Sequence, residues 1–277
     1  MTGLRQWLPA DLLKHIRQED QVWLTYAFER FGGYPTLEQI WALMDEVWES
    51  LHCDADVQDD RIDAFYRHPV WLLNGLFIEQ HEQSLANRKC FTDWVVDQAP
   101  VRVAEFGGGF GTLARMIGAA LPSSMVEVIE PHPHPVAMAR AEKTPNVRYR
   151  PRLTDSYDLM IATDVFEHVT DPLQLVHDTA QYLRPGGRYL IANCFFPVIR
   201  CHLPQTFHFR HSWDCMMRAL GLQPAEKVSY GRAFIRHGAL NLAAARKVER
   251  RSQSLWKVTR YLPGKLARPL SAMALFK

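Results

Sequence analysis

Hydrophobic residues in the first third of the chain recur at helical spacing. The clearest stripe follows Pro35 and consists of Leu37, Ile40, Trp41, Met44, Val47 and Trp48. This spacing predicts an amphipathic helix, and Thr36 with Gln39 matches the capping box that begins one. A second apolar stripe covers residues 69–97. Residues 1–98 are therefore predicted to be helical, with a break where Phe-Gly-Gly-Tyr-Pro occupies residues 31–35.

Beyond residue 100 the pattern changes to short apolar runs that alternate with helical segments. The runs predict strands at 101–106, 125–130, 147–150, 157–162 and 188–194, and the intervening segments predict helices at 112–121, 135–143 and 172–183. Strand–helix alternation of this kind indicates a mostly parallel sheet with helices on both faces. The expected fold class is α/β and Rossmann-like, with a helical extension over 1–98 and a second domain over 99–277.

The last third of the chain has a less regular pattern. It predicts a helix at 213–220 that ends at Gly221, and a strand at 227–230. Residues 241–262, rich in Ala, Arg and Lys, predict a further helix inserted near the C-terminus. Residues 271–276 are predicted to form the final strand.

Charge is distributed unevenly along the 277 residues, although the formal net charge is only +2. Residues 1–60 carry 12 acids and 4 bases, whereas residues 226–277 carry 2 acids and 12 bases. The small net charge argues against a nucleic-acid partner. The two charged ends either pack together or mark a surface for an anionic partner.

The remaining composition narrows the class of protein. Five cysteines without a CxxC pair argue against a disulfide framework and a structural zinc site. The chain has no signal-peptide pattern and no apolar run of about 18 residues. We expect a cytoplasmic protein without integral membrane association, although peripheral contact stays open. The sequence does not indicate its oligomeric state.

A glycine-rich turn carries the strongest functional signal. Residues 105–114, Glu-Phe-Gly-Gly-Gly-Phe-Gly-Thr-Leu-Ala, connect the first predicted strand to a helix. Glycines let a ligand lie against backbone N–H groups at a helix start. Residues 109–114 also fit the GxGxxA form of the dinucleotide fingerprint, with Glu130 about twenty residues further on. However, Glu105 is poorly suited to a pyrophosphate and well suited to a ligand that carries an ammonium group.

Four segments in order resemble the class I S-adenosylmethionine-dependent methyltransferases. They are Glu-Phe-Gly-Gly-Gly-Phe-Gly at 105–111, Val-Ile-Glu-Pro at 128–131, Asp-Leu-Met-Ile-Ala-Thr-Asp-Val-Phe-Glu-His-Val at 158–169 and Leu-Arg-Pro-Gly-Gly at 183–187. The resemblance covers about residues 100–200. It implies S-adenosylmethionine (SAM) as the cofactor and a seven-stranded sheet whose last strand is antiparallel.

The strand ends and the resemblance together nominate the cofactor-binding residues. The family's second motif implies that Glu130 binds the ribose hydroxyls. The usual acid after the third strand, which contacts the adenine amino group, has no clear counterpart, and Asp155 is the nominee. The complete set is Glu105, Gly107, Gly108, Gly109, Glu130, Pro131, Asp155 and Asp164.

Candidates for catalysis and substrate binding follow the fourth and fifth strands. His168 begins a turn over the expected cofactor, and His208 belongs to a segment that alternates histidines with aromatics. These two histidines are the predicted catalytic residues. The predicted substrate-binding residues are Tyr26, Tyr34, Asn193 and His211. We expect no metal, because capping or tethering roles explain Glu167 and His168 more simply than metal ligation with Asp164 does.

Three functions remain compatible with the sequence. The first is methyl transfer to an oxygen or nitrogen atom of a small molecule of specialised or glycan-related metabolism. In that reaction the helices of 1–98 form a lid on the acceptor side. The second is cyclisation of the aminobutyrate arm of SAM to azetidine-2-carboxylate, with release of methylthioadenosine. The third is a membrane- or carrier-associated binding role for the basic C-terminal helix.

Overall fold

The computed structural model describes residues 4–6, 8–262 and 265–267. The described residues up to residue 98 are mostly helical, as predicted. A short 3-10 turn at Leu4–Gln6 precedes six helices: α1 (Ala10–Leu13), α2 (Gln18–Phe31), α3 (Leu37–Ser50), α4 (Asp60–Arg67), α5 (Pro69–Ile78) and α6 (Glu82–Gln98). The predicted capping box is confirmed, because the Thr36 side chain accepts from the Gln39 N–H while the Gln39 side chain accepts from Thr36 N–H.

Strands dominate the region from residue 100 to residue 236. They are β1 (Arg102–Phe106), β2 (Met125–Ile129), β3 (Val147–Arg150), β4 (Tyr157–Thr163), β5 (Leu183–Ala192), β6 (Leu222–Val228) and β7 (Gly231–Arg236). In the described residues they form one seven-stranded sheet in the order β3-β2-β1-β4-β5-β7-β6. Strand β7 is antiparallel to both β5 and β6. The predicted α/β class and antiparallel last strand are therefore confirmed.

Helices alternate with these strands. They are α7 (Thr112–Ala120), α8 (Pro135–Ala141), α9 (Pro172–Ala180), α10 (Trp213–Leu220) and α11 (Leu242–Thr259), and 3-10 turns occupy Phe166–His168 and Pro204–His211. In the part of the chain that the structure describes, none of the helices combines the length and apolarity needed to cross a bilayer.

The structure corrects the bounds of one predicted strand and one predicted helix. The strand expected at 227–230 is a turn at its end, because β6 stops at Val228 and β7 begins at Gly231. The helix expected at 172–183 stops at Ala180, since β5 already begins at Leu183. The strand expected at 271–276 lies outside the described residues.

The chain divides into two compact units. The first contains the described residues of 1–99, 107–152 and 198–201, and the second those of 100–106, 153–197 and 202–277. In the first unit, α3 packs against α5, and α7 packs against α6 and β2. In the second, the core lies around β4, β5 and β7, with α10 packed on α11 and β6. The predicted lid role of 1–98 stays a prediction.

Candidate functional site

The glycine turn lies in the first unit and has the backbone that glycines allow. Gly109 and Gly111 have φ of +49° and +66°, a left-handed region that side-chain-bearing residues rarely adopt. A Cβ on Gly111 would lie 2.5 Å from the Tyr149 hydroxyl oxygen, whereas no described atom lies within 4 Å of a Cβ built on Gly109. Gly109 therefore leaves space for a ligand to approach the backbone.

Neighbouring groups hold this turn in place. The Tyr149 hydroxyl donates to the Gly109 carbonyl at 3.1 Å, and the Gly107 N–H donates to the Ile129 carbonyl at 2.9 Å. Gly108 accepts from the Gly111 N–H at 2.8 Å, and Gly111 is the N-cap of α7. The helix start thus presents backbone donors beside the turn, an arrangement that suits an anionic or polar ligand.

Glu130 directly follows Ile129, at the carboxyl end of β2 and next to this turn. Its backbone N–H donates to the Arg150 carbonyl at 2.9 Å. Its carboxylate is half-buried and accepts from the His132 N–H at 3.2 Å, while Pro131 is exposed between them. An oriented carboxylate beside a glycine turn can accept hydrogen bonds from sugar hydroxyls. The residues of the first unit fit the nucleoside part of the expected cofactor.

Glu105 belongs to the second unit and is buried, with 3% of its surface exposed. It lies at the end of β1, in register with Ile161 of β4, and two residues before Gly107. A carboxylate in this position is expensive to bury unless a cation or hydrogen-bond donors compensate it. The predicted role of Glu105 toward an ammonium group stays a prediction.

The two predicted aspartates lie at opposite edges of the strands of the second unit. Asp164 follows β4 at its carboxyl end, where its N–H donates to the Ala192 carbonyl and its Oδ2 accepts from the Tyr230 hydroxyl at 2.8 Å. Asp155 precedes β4 and forms an exposed ion pair with Arg102 at 3.1 Å. Because ligands of such sheets bind at the carboxyl ends of strands, the position of Asp155 disagrees with its predicted adenine contact.

A compact cluster surrounds Glu167 in the turn after β4. Glu167 is completely buried, and its Oε1 accepts from the Cys194 N–H at 2.6 Å. The Asn193 amide, oriented so that its nitrogen donates, reaches Oε2 at 3.3 Å. Burial raises the pKa of Glu167 well above its usual range, and the nearby Asp164 adds to this rise. Burial therefore favours the neutral form of Glu167, and its hydrogen bonds connect the turn after β4 with the loop after β5.

His168 and His202 complete the cluster. Their rings meet edge to face with centroids 4.8 Å apart, and His202 Nδ1 lies 2.7 Å from the Phe196 carbonyl oxygen. Because a carbonyl oxygen can only accept, Nδ1 of His202 is the donor in that contact. The ligand-capable atoms of Glu167, His168 and His202 all lie within 4.8 Å of one another. The structure thus brings His168 and Asn193 together around Glu167, as two of the predicted site residues.

The structure does not bring His208 to this cluster. His208 is buried, and its Nδ1 lies 3.1 Å from the Ser252 hydroxyl of α11. Burial lowers its pKa to about 4, so the ring is neutral. His211 is half-buried beside Trp256 of α11, with ring centroids 6.2 Å apart. His208 contacts α11 through Nδ1, and its predicted role as a catalytic base stays a prediction.

The two predicted substrate tyrosines lie in the first unit. Tyr26 is 52% exposed on α2, and its hydroxyl accepts from Arg30 at 3.1 Å. Tyr34 packs edge to face on Phe28 with ring centroids 4.8 Å apart, and burial raises its pKa. Their roles toward an acceptor stay predictions.

Sequence reasoning missed two tyrosines that touch predicted site residues. Tyr149 supports Gly109, and Tyr230 donates to Asp164. Tyr149 lies in a strand whose alternation predicts only its face. Tyr230 lies in the β6–β7 turn, 66 residues from its partner. No local signal in the sequence points to either contact.

Comparisons with known proteins agree with this fold. Residues 104–189 match a family model described as a methyltransferase domain. The chain is 26% identical over 160 residues to the ubiquinone biosynthesis O-methyltransferase of Aeromonas salmonicida (strain A449). The aligned region covers 52% of this chain and 65% of that protein. It also superposes on an O-methyltransferase family protein from Burkholderia thailandensis with a TM-score of 0.52 and 13% identity, over 73% and 71% of the two chains.

The sheet order and the glycine turn define a class I methyltransferase fold. The resemblance inferred from the sequence is confirmed over residues 104–189, which match the methyltransferase domain model. The cofactor that this match implies is S-adenosylmethionine.

Proposed function

We propose that the chain transfers the methyl group of SAM to a hydroxyl oxygen or a nitrogen of a small molecule. The single observation that supports this most is the open Gly109 position, which follows β1 inside the matched methyltransferase domain. Gly107 of the same turn donates to the carbonyl of Ile129, the residue before Glu130. The similarity to a curated O-methyltransferase favours oxygen as the acceptor atom. The match covers less than two thirds of that relative's length, so the proposal does not extend to the relative's own substrate.

The residue roles follow from the geometry of each unit. We assign Gly107, Gly108 and Gly109 to backbone contact with the cofactor, and Glu130 to the ribose hydroxyls. Glu105 would receive the ammonium group of the amino acid arm, since it is a buried carboxylate. Bound SAM supplies a methyl group on a sulfonium, which is activated for attack by an aligned nucleophile. Much of the acceleration in such a reaction comes from positioning and the exclusion of water.

His168 is the proposed proton acceptor for the acceptor hydroxyl. It is partly exposed in the turn after β4, and its ring contacts His202, whose Nδ1 donates to the Phe196 carbonyl. A histidine near neutral pH is a suitable general base for a weakly acidic hydroxyl. Asn193 and Asp164 lie at the carboxyl ends of β5 and β4 and are assigned to polar contacts with the ligands.

The proposed reaction uses no metal at Glu167, His168 and His202. Both carboxylate oxygens of Glu167 already accept hydrogen bonds, from the Cys194 N–H and the Asn193 amide. We expect turnover to be unchanged after dialysis against excess EDTA. Loss of turnover that zinc or manganese restores would instead identify these three residues as metal ligands.

A pair of matched glycine variants tests cofactor placement. Gly109 and Gly186 both have positive φ, and no described atom lies within 4 Å of a Cβ built on either. The backbone strain of an alanine is therefore similar at the two positions. We expect Gly109→Ala to weaken SAM binding at least tenfold by calorimetry and Gly186→Ala to leave it unchanged. Equal affinity in both variants would show that the cofactor binds elsewhere.

Product analysis tests the chemistry. Purified protein is incubated with SAM alone and then with fractionated cell extract, and both nucleoside products are followed by mass spectrometry. Methyl transfer yields S-adenosylhomocysteine only when an acceptor is present. Methylthioadenosine formed from SAM alone would replace this proposal with cyclisation of the aminobutyrate arm.

A further inference from the structure

Helix α11 presents a long exposed face to solvent. Its buried side contacts α9, α10 and the 3-10 turn at Pro204–His211. The opposite side carries exposed residues at intervals of three and four: Lys247, Arg250, Arg251, Ser254, Lys257, Val258 and, just beyond the helix, Tyr261. Residues at this spacing lie on one face of a helix. We call this set the α11 face.

The cations of the α11 face differ from Arg246, which also lies on α11 but pairs with acids of the protein itself. Arg246 donates to Glu249 at 2.8 Å and also pairs with Asp171, so it ties α11 to the start of α9. Glu249 is the single acid of α11 and is buried. Within the described residues, none of the four cations of the α11 face forms an ion pair. Their charge is therefore available to a partner.

Two apolar side chains continue the same face, and a third is exposed further along the chain. Val258 is 66% exposed, Tyr261 is 73% exposed, and Leu266 beyond them is 56% exposed. Single exposed apolar residues are ordinary, but three within nine positions beside a row of cations are not expected of a solvated helix. A shallow groove of about 510 Å³ also runs along the helix, lined by Lys247, Arg250, Arg251, Ser254 and Leu255.

We propose that the α11 face docks the protein on an anionic lipid bilayer. The four cations attract phosphate headgroups, the groove accommodates one of them, and Val258 and Tyr261 enter the boundary between headgroups and acyl chains. A nucleic acid would also attract the cations, but it offers no apolar layer for Val258 and Tyr261. The combination of charge and apolar exposure therefore favours a lipid surface.

Sedimentation with vesicles tests this surface. Wild-type protein is mixed with vesicles of phosphatidylcholine alone or with one third phosphatidylglycerol, at low and high salt. We expect binding to the anionic vesicles only, and release at high salt because screening weakens exposed charge interactions. No binding to anionic vesicles at low salt would overturn the proposal, as would equal binding to neutral vesicles.

Matched variants separate this surface from total charge. The test variant combines Arg250→Ala, Arg251→Ala and Lys257→Ala. The control combines Arg148→Ala, Arg152→Ala and Lys227→Ala, which removes three exposed cations from other elements. We expect the test variant to lose at least tenfold in vesicle partitioning and the control less than threefold, with unchanged far-UV circular dichroism in both. Equal losses would overturn the proposal.

The apolar contribution and the competing partner need separate measurements. Val258→Ser with Tyr261→Ser keeps all the cations, and we expect it to weaken vesicle binding at least threefold at every salt concentration. Unchanged binding by this variant would contradict insertion into the headgroup layer. A parallel titration with duplex DNA is expected to show weaker binding than the anionic vesicles. Tight binding to DNA without vesicle binding would overturn the lipid assignment.

Discussion

Two buried carboxylates, Asp20 of the first compact unit and Glu167 of the second, are stabilised in different ways. In the first unit, Asp20 is buried and accepts from Arg17 at 2.7 Å and 3.1 Å and from His134 at 3.0 Å. Glu79 likewise pairs with Arg115 and Arg140. In the second unit, the fully buried Glu167 forms no ion pair with a described residue and accepts instead from a backbone N–H and an amide.

This difference follows from what each carboxylate connects. Asp20 lies on α2 and His134 caps α8, and Glu79 follows α5 and pairs with arginines of α7 and α8. Cations reach these positions from the helix surfaces, and the resulting pairs join helices that are distant in sequence. Glu167 lies in a turn and has no ion-pair partner among the residues that the structure describes. Its raised pKa is the consequence of burial without an opposite charge.

Removing the charge of Glu79 is expected to have the largest effect. Glu79→Gln leaves Arg115 and Arg140, both largely buried, without a carboxylate, and we expect the free energy of unfolding to fall by about 3 kcal/mol or more. Urea denaturation measures this change. The exposed pair of Lys89 and Asp93 is the control, and Asp93→Asn should leave stability nearly unchanged. Equal effects would refute the distinction between buried and exposed pairs.

Buried histidines sharpen the comparison, because they behave alike in both units. Burial lowers the pKa of His68 in the first unit and of His208 in the second to about 4. Unfolded histidine titrates near pH 6.5, so the unfolded chain binds more protons between about pH 6.5 and 4. Stability is therefore present above this window and is lost as the pH falls through it.

Variants of these histidines test that pH dependence. His208→Asn removes the titrating group, and we expect it to reduce the acid-induced loss of stability by about 2–3 kcal/mol between pH 7 and pH 4. His68→Asn should act in the same direction while retaining a residue type that caps α5. Chemical denaturation at several pH values gives the slopes. Parallel slopes for the wild type and both variants would contradict the lowered pKa values.

Asp20→Asn is expected to have a smaller effect than Glu79→Gln. The asparagine still accepts one hydrogen bond from Arg17, which is itself partly exposed, but it no longer offers a charge to Arg17 or His134. We expect a loss of about 1–3 kcal/mol, which is the scale of a hydrogen bond to a charged group. A loss below 0.5 kcal/mol would place Asp20 with Glu167 as an acid that needs no charge, and the difference between the units would disappear.

Particular residues of both units also show how far the sequence predicts the structure. The Thr36 capping box, β1 and the glycine turn depend on neighbours within a few positions, and their prediction succeeded. The burial of His208 depends on Ser252, 44 residues away, and the pairing of Asp155 with Arg102 spans 53 residues. Periodicity and motif spacing contain no information about such contacts.

The residues of the candidate site also separate into those that the local sequence predicts and those that depend on contacts distant in the chain. The positions of Glu105, the glycines and Glu130 could be predicted from a motif and from the ends of strands, because the carboxyl end of a strand fixes where the next residue lies. His202 next to His168 requires the chain to return after β5, so the sequence offered three histidines in that segment without distinguishing among them. The contact of His208 with Ser252 of α11 was equally beyond the reach of the sequence pattern.

Glu167→Gln is expected to have the smallest effect and is the most direct test of the comparison. The glutamine keeps an acceptor for the Cys194 N–H, and it removes an acid whose ionisation burial disfavours. A carboxyl with a raised pKa contributes stability at low pH that is lost as the pH rises through its folded value. We therefore expect Gln to change stability by less than about 1 kcal/mol at about pH 4, below the unfolded value, and to be more stable than the wild type at pH 9.

Denaturation of the Glu167→Gln and Asp20→Asn variants side by side completes the test, since each replaces one buried acid with its neutral isostere. Opposite signs at pH 9 are expected, with Asp20→Asn below the wild type and Glu167→Gln above it. A large loss in Glu167→Gln at every pH would mean that Glu167 is ionised and balanced by a cation. Because Glu167, His168 and His202 lie close enough to share one, the same result would direct the search for that cation to this cluster.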